Sequence, residues 1–85
     1  MSIVTHPTPN PNALKFSVGS DVGGPKTYVA SAEVDDPTAQ ALLAITGVTS
    51  IFMTADFVTI SKTSEVDWAD ITPAASEILS ERFGA

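Results

Sequence analysis

The sequence predicts a two-layer α+β domain in which an antiparallel four-stranded sheet carries two helices on one face, in the order ββαββα. Three observations carry this. Apolar and polar residues alternate with period two, or β-branched and aromatic residues cluster, in two early and two later stretches. The apolar spacing lengthens to that of a helix after each pair. Each lengthening is announced by an Asp or Thr beside a proline.

In "ALKFSV", Leu14, Phe16 and Val18 alternate with Lys15 and Ser17, the pattern of a half-buried strand with Phe16 in the core. "GSDVGGP" follows as a loop of glycines and a proline. In "KTYVASAEV", Tyr28, Ala30, Ala32 and Val34 alternate with Thr27, Ser31 and Glu33, so the two strands read as one antiparallel hairpin with a longish loop. Asp36 and Pro37 then fit the N-cap and first position of a helix. Ala39, Leu42 and Leu43 share its apolar face, and Gly47 fits the stop after it. "VTSIFM" and "FVTISK" are rich in β-branched and aromatic residues and flank Thr54-Ala55-Asp56, a second hairpin. The last helix carries the stripe Ile71, Ala75, Ile78, Leu79 and Phe83. Asp67 or Thr72 could cap it, and Pro73 predicts a kink or a restart. Trp68 is expected to anchor its entry.

At 85 residues the chain reads as one domain, residues 1–85, with a small core. No apolar run approaches the roughly 20 residues of a membrane helix. The opening Met1-Ser2-Ile3-Val4-Thr5 lacks the features of a signal peptide, so a cytoplasmic setting is expected. Ten acidic residues against four scattered basic ones give a formal net charge of −6, which disfavours nucleic acid and anionic membrane surfaces as partners. There is no cysteine and a single histidine, His6. A disulfide, a thiol nucleophile, a thiolate-held cluster and a two-histidine metal site are therefore excluded for this stretch of chain.

The candidate motifs weigh as follows. "GSDVGGPKT" approximates a phosphate-binding loop, but Pro25 stands in the lysine position and a strand follows where a helix is needed. Asp35-Asp36 and Asp67/Asp70 resemble carboxylate pairs, yet helix capping and the first-turn dipole account for Asp36, Asp67 and Asp70. A small hydrolase or isomerase using Asp56, His6 and Lys15 lacks an activated nucleophile. Phe52 and Phe57 flank the second turn, as core residues or as a contact surface on the open sheet face. "TPNPN", Thr8 to Asn12, is stiffened by Pro9 and Pro11. It reads either as a rigid bend that sets strand register or as a preorganised polar recognition loop.

Three motifs, "TPNPNALKF", "ITGVTSIFMTADFVTISK" and "DWADITP", occur in order across nearly the whole chain. In this the sequence resembles the N-terminal domain of Nfu/NifU-type iron–sulfur scaffold proteins. The family pattern has a T-P-N-P-N-x-L-K-F opening, a helix ending in I-x-G-V, a D-F-[IV]-T-[VI]-x-K strand and a W-x-x-[IL]-x-P entry to the last helix. The resemblance implies a similar ββαββα fold. It also implies a second, cluster-holding domain with a Cys-x-x-Cys motif in full-length members, absent from this sequence. Thr38 departs from the family, standing where a bulky apolar residue is common, which thins the helix packing. By resemblance, the TPNPN loop, Lys15 and the Asp56-Phe57 turn are hallmarks.

The reading that follows is a non-enzymatic accessory domain of iron–sulfur cluster assembly, with no catalytic residue, metal or cofactor of its own. It would meet a cluster only through a carrier or apo-client protein. The alternative is a general protein- or peptide-binding module. Partner contact is assigned to Asn10, Asn12, Lys15, Asp56 and Phe57, expected to lie together at one edge or end of the sheet with Lys15 and Asp56 as a charge pair.

Overall fold

A computed structural model describes residues 3–19, 23–30 and 33–83. Its strands are β1 (Val4–Pro7), β2 (Ala13–Ser17), β3 (Gly23–Val29), β4 (Val48–Ala55) and β5 (Phe57–Lys62). The helices are α1 (Pro37–Leu43), between β3 and β4, and α2 (Trp68–Phe83), after β5. The five strands form one antiparallel sheet in the order β1-β2-β5-β4-β3, and both helices cover one of its faces.

Register places the core. Phe16 of β2 faces Val58 of β5, which in turn faces Met53 of β4; one step along, Leu14, Ile60 and Ile51 form the next row. Phe16, Val58, Ile60, Ile51 and Met53 are buried beneath Ala39 and Leu42 of α1 and Ile71, Ala75 and Leu79 of α2. The period of two in the strands and the helical stripe of α2 therefore point into one shared interior, as expected.

The α+β class holds, but the sheet has a fifth strand, and the expected first hairpin is corrected. β2 pairs with β1 and β5, while β3 lies at the far edge against β4. Alternation marks a strand but not its neighbour. Val4 pairs with Ser17 and Pro7 with Leu14, so TPNPN is the loop that turns β1 back into β2. All four residues of β1 are exposed, so it has no buried alternation to betray it. β3 also starts and ends earlier than its pattern suggested. Gly23, Gly24 and Pro25 belong to it, with a register shift between Gly23 and Lys26, and Val34 lies beyond its end. Pro25 is tolerated because this is an edge strand. The readings of Ser31 and Ala32 fall outside the described residues.

Asp36 caps α1 as expected: one carboxylate oxygen accepts from the Thr38 N–H at 2.8 Å and the Ala39 N–H at 3.1 Å. The helix stops sooner, with Ala44 as its C-cap. Gly47 instead makes the turn into β4, with φ of +95°. A Cβ there would come within 2.7 Å of a Val66 methyl, so both backbone and space require glycine. Of the kink or restart expected at Pro73, the restart does not occur: α2 runs as one helix through it. The carbonyl that loses its donor belongs to Ala69; both residues are exposed, so water can satisfy it.

Candidate interaction surface

Alternation in the central strands leaves a second face turned away from the helices. Lys15 lies opposite Thr59, which lies opposite Phe52, which lies opposite Thr27, a row across four strands. One step along, Ser17, Phe57 and Thr54 form another. Phe52 is 37% exposed and Phe57 is half-buried. The Lys15 ammonium lies over the Phe57 ring, 4.3 Å from its centroid. Of the two roles open to the flanking aromatics, Phe52 and Phe57 take the sheet surface rather than the core.

The five candidate contact residues do not share one place. Lys15 and Phe57 are neighbours on this face. Asp56 caps one end of it, its carbonyl accepting from the Val18 N–H at 2.9 Å. Asn10 and Asn12 lie at the other end, where the Asn12 carbonyl accepts from the Lys62 N–H at 2.8 Å. Asp56 and Lys62 bracket β5, a separation of roughly 20 Å along the strand. The expected grouping at one end is thereby corrected. It failed because β2 and β5 run antiparallel: the loop entering β2 meets the exit of β5, not its start. Lys15 takes the Phe57 ring where a charge pair with Asp56 was expected.

TPNPN is held from within and from without. The Thr8 hydroxyl oxygen lies 2.9 Å from the Asn10 carbonyl and 2.8 Å from the Ala13 carbonyl. The Asn10 N–H donates to the Thr8 hydroxyl, and the Asn10 side-chain oxygen accepts from the Asn12 N–H at 3.0 Å. The Lys62 ammonium donates to the Asn12 side-chain oxygen at 3.3 Å and lies 5.6 Å from the centre of the Trp68 ring. The Trp68 indole N–H donates to the Pro11 carbonyl at 3.0 Å. Proline gives up its N–H but keeps an acceptor, and the indole N–H, a donor only, takes it. Trp68 thus anchors the helix entry, as its position suggested, through a loop 57 residues away that no local pattern names. Lys62, which joins Asn12 to the Trp68 ring, is the residue here that sequence reasoning missed.

A groove of about 270 Å³ lies between α1 and α2, lined by Pro37, Thr38, Ala41, Ile78, Glu81 and Arg82. Thr38 is 5% exposed, and its buried hydroxyl oxygen has no hydrogen-bond partner among the described residues. Its hydroxyl occupies the position where an apolar side chain was expected. Among the described residues, no three His, Asp or Glu side chains converge as metal ligands.

The arrangement is that of a small α+β domain whose sheet is covered by helices on one face. Residues 3–85 match the family model described as "Scaffold protein Nfu/NifU N terminal". The chain belongs to this family of Nfu/NifU N-terminal domains. It is 40% identical over 81 residues to a NifU-like protein of Schizosaccharomyces pombe, covering 89% of this chain and 31% of the relative. It is 38% identical over 89 residues to the Drosophila erecta "NFU1 iron-sulfur cluster scaffold homolog, mitochondrial", covering 100% of this chain and 31% of that protein. The chain therefore spans about a third of the length of these relatives. The solution structure of a NifU-like protein from Saccharomyces cerevisiae superposes with a TM-score of 0.72 at 27% identity, covering 96% of this chain and 77% of that one. A Staphylococcus aureus protein of known crystal structure does so with a TM-score of 0.76 at 25% identity, covering 92% and 98%.

These relatives overturn the cytoplasmic expectation, since the fly proteins carry "mitochondrial" in their names. That expectation rested on a missing leader pattern, and such an absence does not identify a compartment.

Proposed function

We propose that this domain is a protein-interaction element of iron–sulfur cluster assembly that engages a separate cluster carrier or apo-client. The observation that carries the proposal is the family match over residues 3–85 in a sequence without cysteine. Clusters are held by thiolates, and this stretch supplies none. Its contribution to a scaffold is then contact with the polypeptide that does supply them.

The contact residues divide by their present employment. Asn10 and Asn12 spend their side-chain oxygens on the loop and on Lys62, which favours a structural role for TPNPN. Lys15 and Phe57 stand on the open face with Phe52 and are the better contact candidates. Asp56 stands at the rim.

The test is calorimetric titration of the chain with a Cys-x-x-Cys cluster carrier from the same organism, apo and cluster-loaded, and with one apo-client enzyme. Saturable binding to either protein supports the proposal. Absence of binding to both, with the chain shown to be folded, rejects it.

A further inference from the structure

We propose that the open face of the sheet around Lys15, Phe52 and Phe57 docks a polypeptide segment presenting a large apolar side chain next to one carboxylate. This rests on the reading of the domain as a protein-interaction element and names the surface and the chemistry it takes.

The first argument is the distribution of charge. The five described strands contain no Asp or Glu. On the face away from the helices the charged or titratable strand side chains are Lys15 and, opposite it in register, His6. A chain of net charge −6 thus keeps a sheet face whose strands carry no carboxylate. Its fixed charge is a single ammonium.

The second argument is the setting of that ammonium. Phe57 opposes Thr54 while Phe52 opposes Thr59, so the two rings are diagonal neighbours across β4 and β5, roughly 7–8 Å apart at the backbone. Lys15 over Phe57 completes a run of cation, ring and ring across β2, β5 and β4. An apolar side chain laid on the rings brings the adjoining residue within reach of Lys15, and a carboxylate there gains a charge-assisted hydrogen bond. The hydroxyls of Thr27 and Thr59 border the rings and supply the polar rim of a protein contact.

A single carboxylate also suits the rest of the molecule. The acidic loops and helices repel a polyanion, whereas one charge matched to one lysine is screened from them beyond a Debye length of about 8–10 Å. Single-stranded nucleic acid stacks on aromatic sheets too, but it needs a basic groove along its backbone, and this face holds one lysine.

The test uses amide NMR on the folded chain, with the acetylated and amidated peptide Gly-Phe-Leu-Asp-Gly as the probe. Saturable shifts centred on Lys15, Phe52 and Phe57 are expected at millimolar peptide. They should weaken about tenfold when the peptide Asp is replaced by Lys, or when its Phe and Leu are both Ala. Lys15→Glu should weaken binding of the Asp peptide and strengthen that of the Lys peptide; the second measurement separates charge recognition from simple damage to the face. Phe52→Thr provides a variant that keeps strand propensity and should also lose binding.

Shifts confined to α1 and α2, equal binding of the Lys peptide, or no shift at all would overturn the proposal. Tighter binding of an oligothymidylate would assign the face to nucleic acid. Concentration-dependent shifts of the same residues without peptide would assign it to a second copy of the chain. The carrier and client titrations read separately. A carrier that binds without moving Lys15, Phe52 or Phe57 removes this surface but leaves the interaction role. Peptide binding with neither carrier nor client bound preserves the surface and removes the iron–sulfur role.

Discussion

Phe16 and Phe52 are the same residue on the two faces of one sheet, and they lead opposite lives. Phe16 is fully buried between the sheet and the helices; Phe52 is 37% exposed on the face the helices leave open. Both lie in interior strands of the sheet, so strand position does not separate them. What separates them is parity in the pleat. Phe16 shares a row with Val58 and Met53, while Phe52 shares one with Lys15, Thr59 and Thr27. The inner row is uniformly apolar and needs each member to fill space. The outer row mixes a ring with hydroxyls and a cation, a composition suited to contact rather than to a permanent interior.

The largest effect expected from breaking this comparison is on the inner side. Phe16→Ala should cost about 3–5 kcal/mol, because it empties a site bordered by both layers. Urea unfolding gives the number directly from the shift in midpoint at unchanged slope. A loss below about 1 kcal/mol would mean that the two faces are not energetically distinct.

The next effect tests the end of the sheet. Trp68→Phe keeps an aromatic ring but removes the indole N–H that holds the Pro11 carbonyl. It should cost about 1–2 kcal/mol, from one hydrogen bond and some lost packing. Amide exchange should quicken at Asn12 and Ala13 more than in α2 if the bond's main duty is to hold the loop. Uniform quickening would show that the ring anchors the helix alone.

Much of this architecture could be read from the chain, and the limits have physical causes. Alternation around Phe16, the Asp36-Pro37 cap and the stripe of α2 are local signals, each set by residues within a few positions of one another. Strand partners are not local. The sheet order and the TPNPN–Trp68 link depend on antiparallel register between distant segments, which is why Asn12 and Asp56 were placed together and stand apart. β1 escaped notice because it buries nothing, and an exposed edge strand ending in Pro7 leaves no periodic trace. Lys15 and Phe57 were legible as hallmarks. Their contact through the ring is a product of the β2–β5 pairing.

Thr38 sharpens the comparison from the helix side. Its buried hydroxyl oxygen lacks a partner among the described residues, an anomaly for the inner layer, where the neighbouring Ala39 and Leu42 are apolar. Thr38→Val replaces that hydroxyl by a methyl of similar shape and should raise stability by about 1 kcal/mol, as relief of an unsatisfied buried group. A loss of stability in urea would show that the hydroxyl does find a hydrogen-bond partner in solution.

The smallest effect is expected at Phe52. Phe52→Thr removes the more exposed of the two phenyl rings of the outer face and puts a β-branched residue in its place, extending the row already formed by Thr59 and Thr27. Cross-strand aromatic contacts are worth roughly 0.2–1 kcal/mol, so the loss should stay under about 1 kcal/mol. The pleat then makes a claim that stability alone can break. If Phe52→Thr costs as much as Phe16→Ala, the outer rings form a second core, and their exposure is incidental. If it costs little while abolishing peptide binding, Phe52 is kept on the surface for what it meets there.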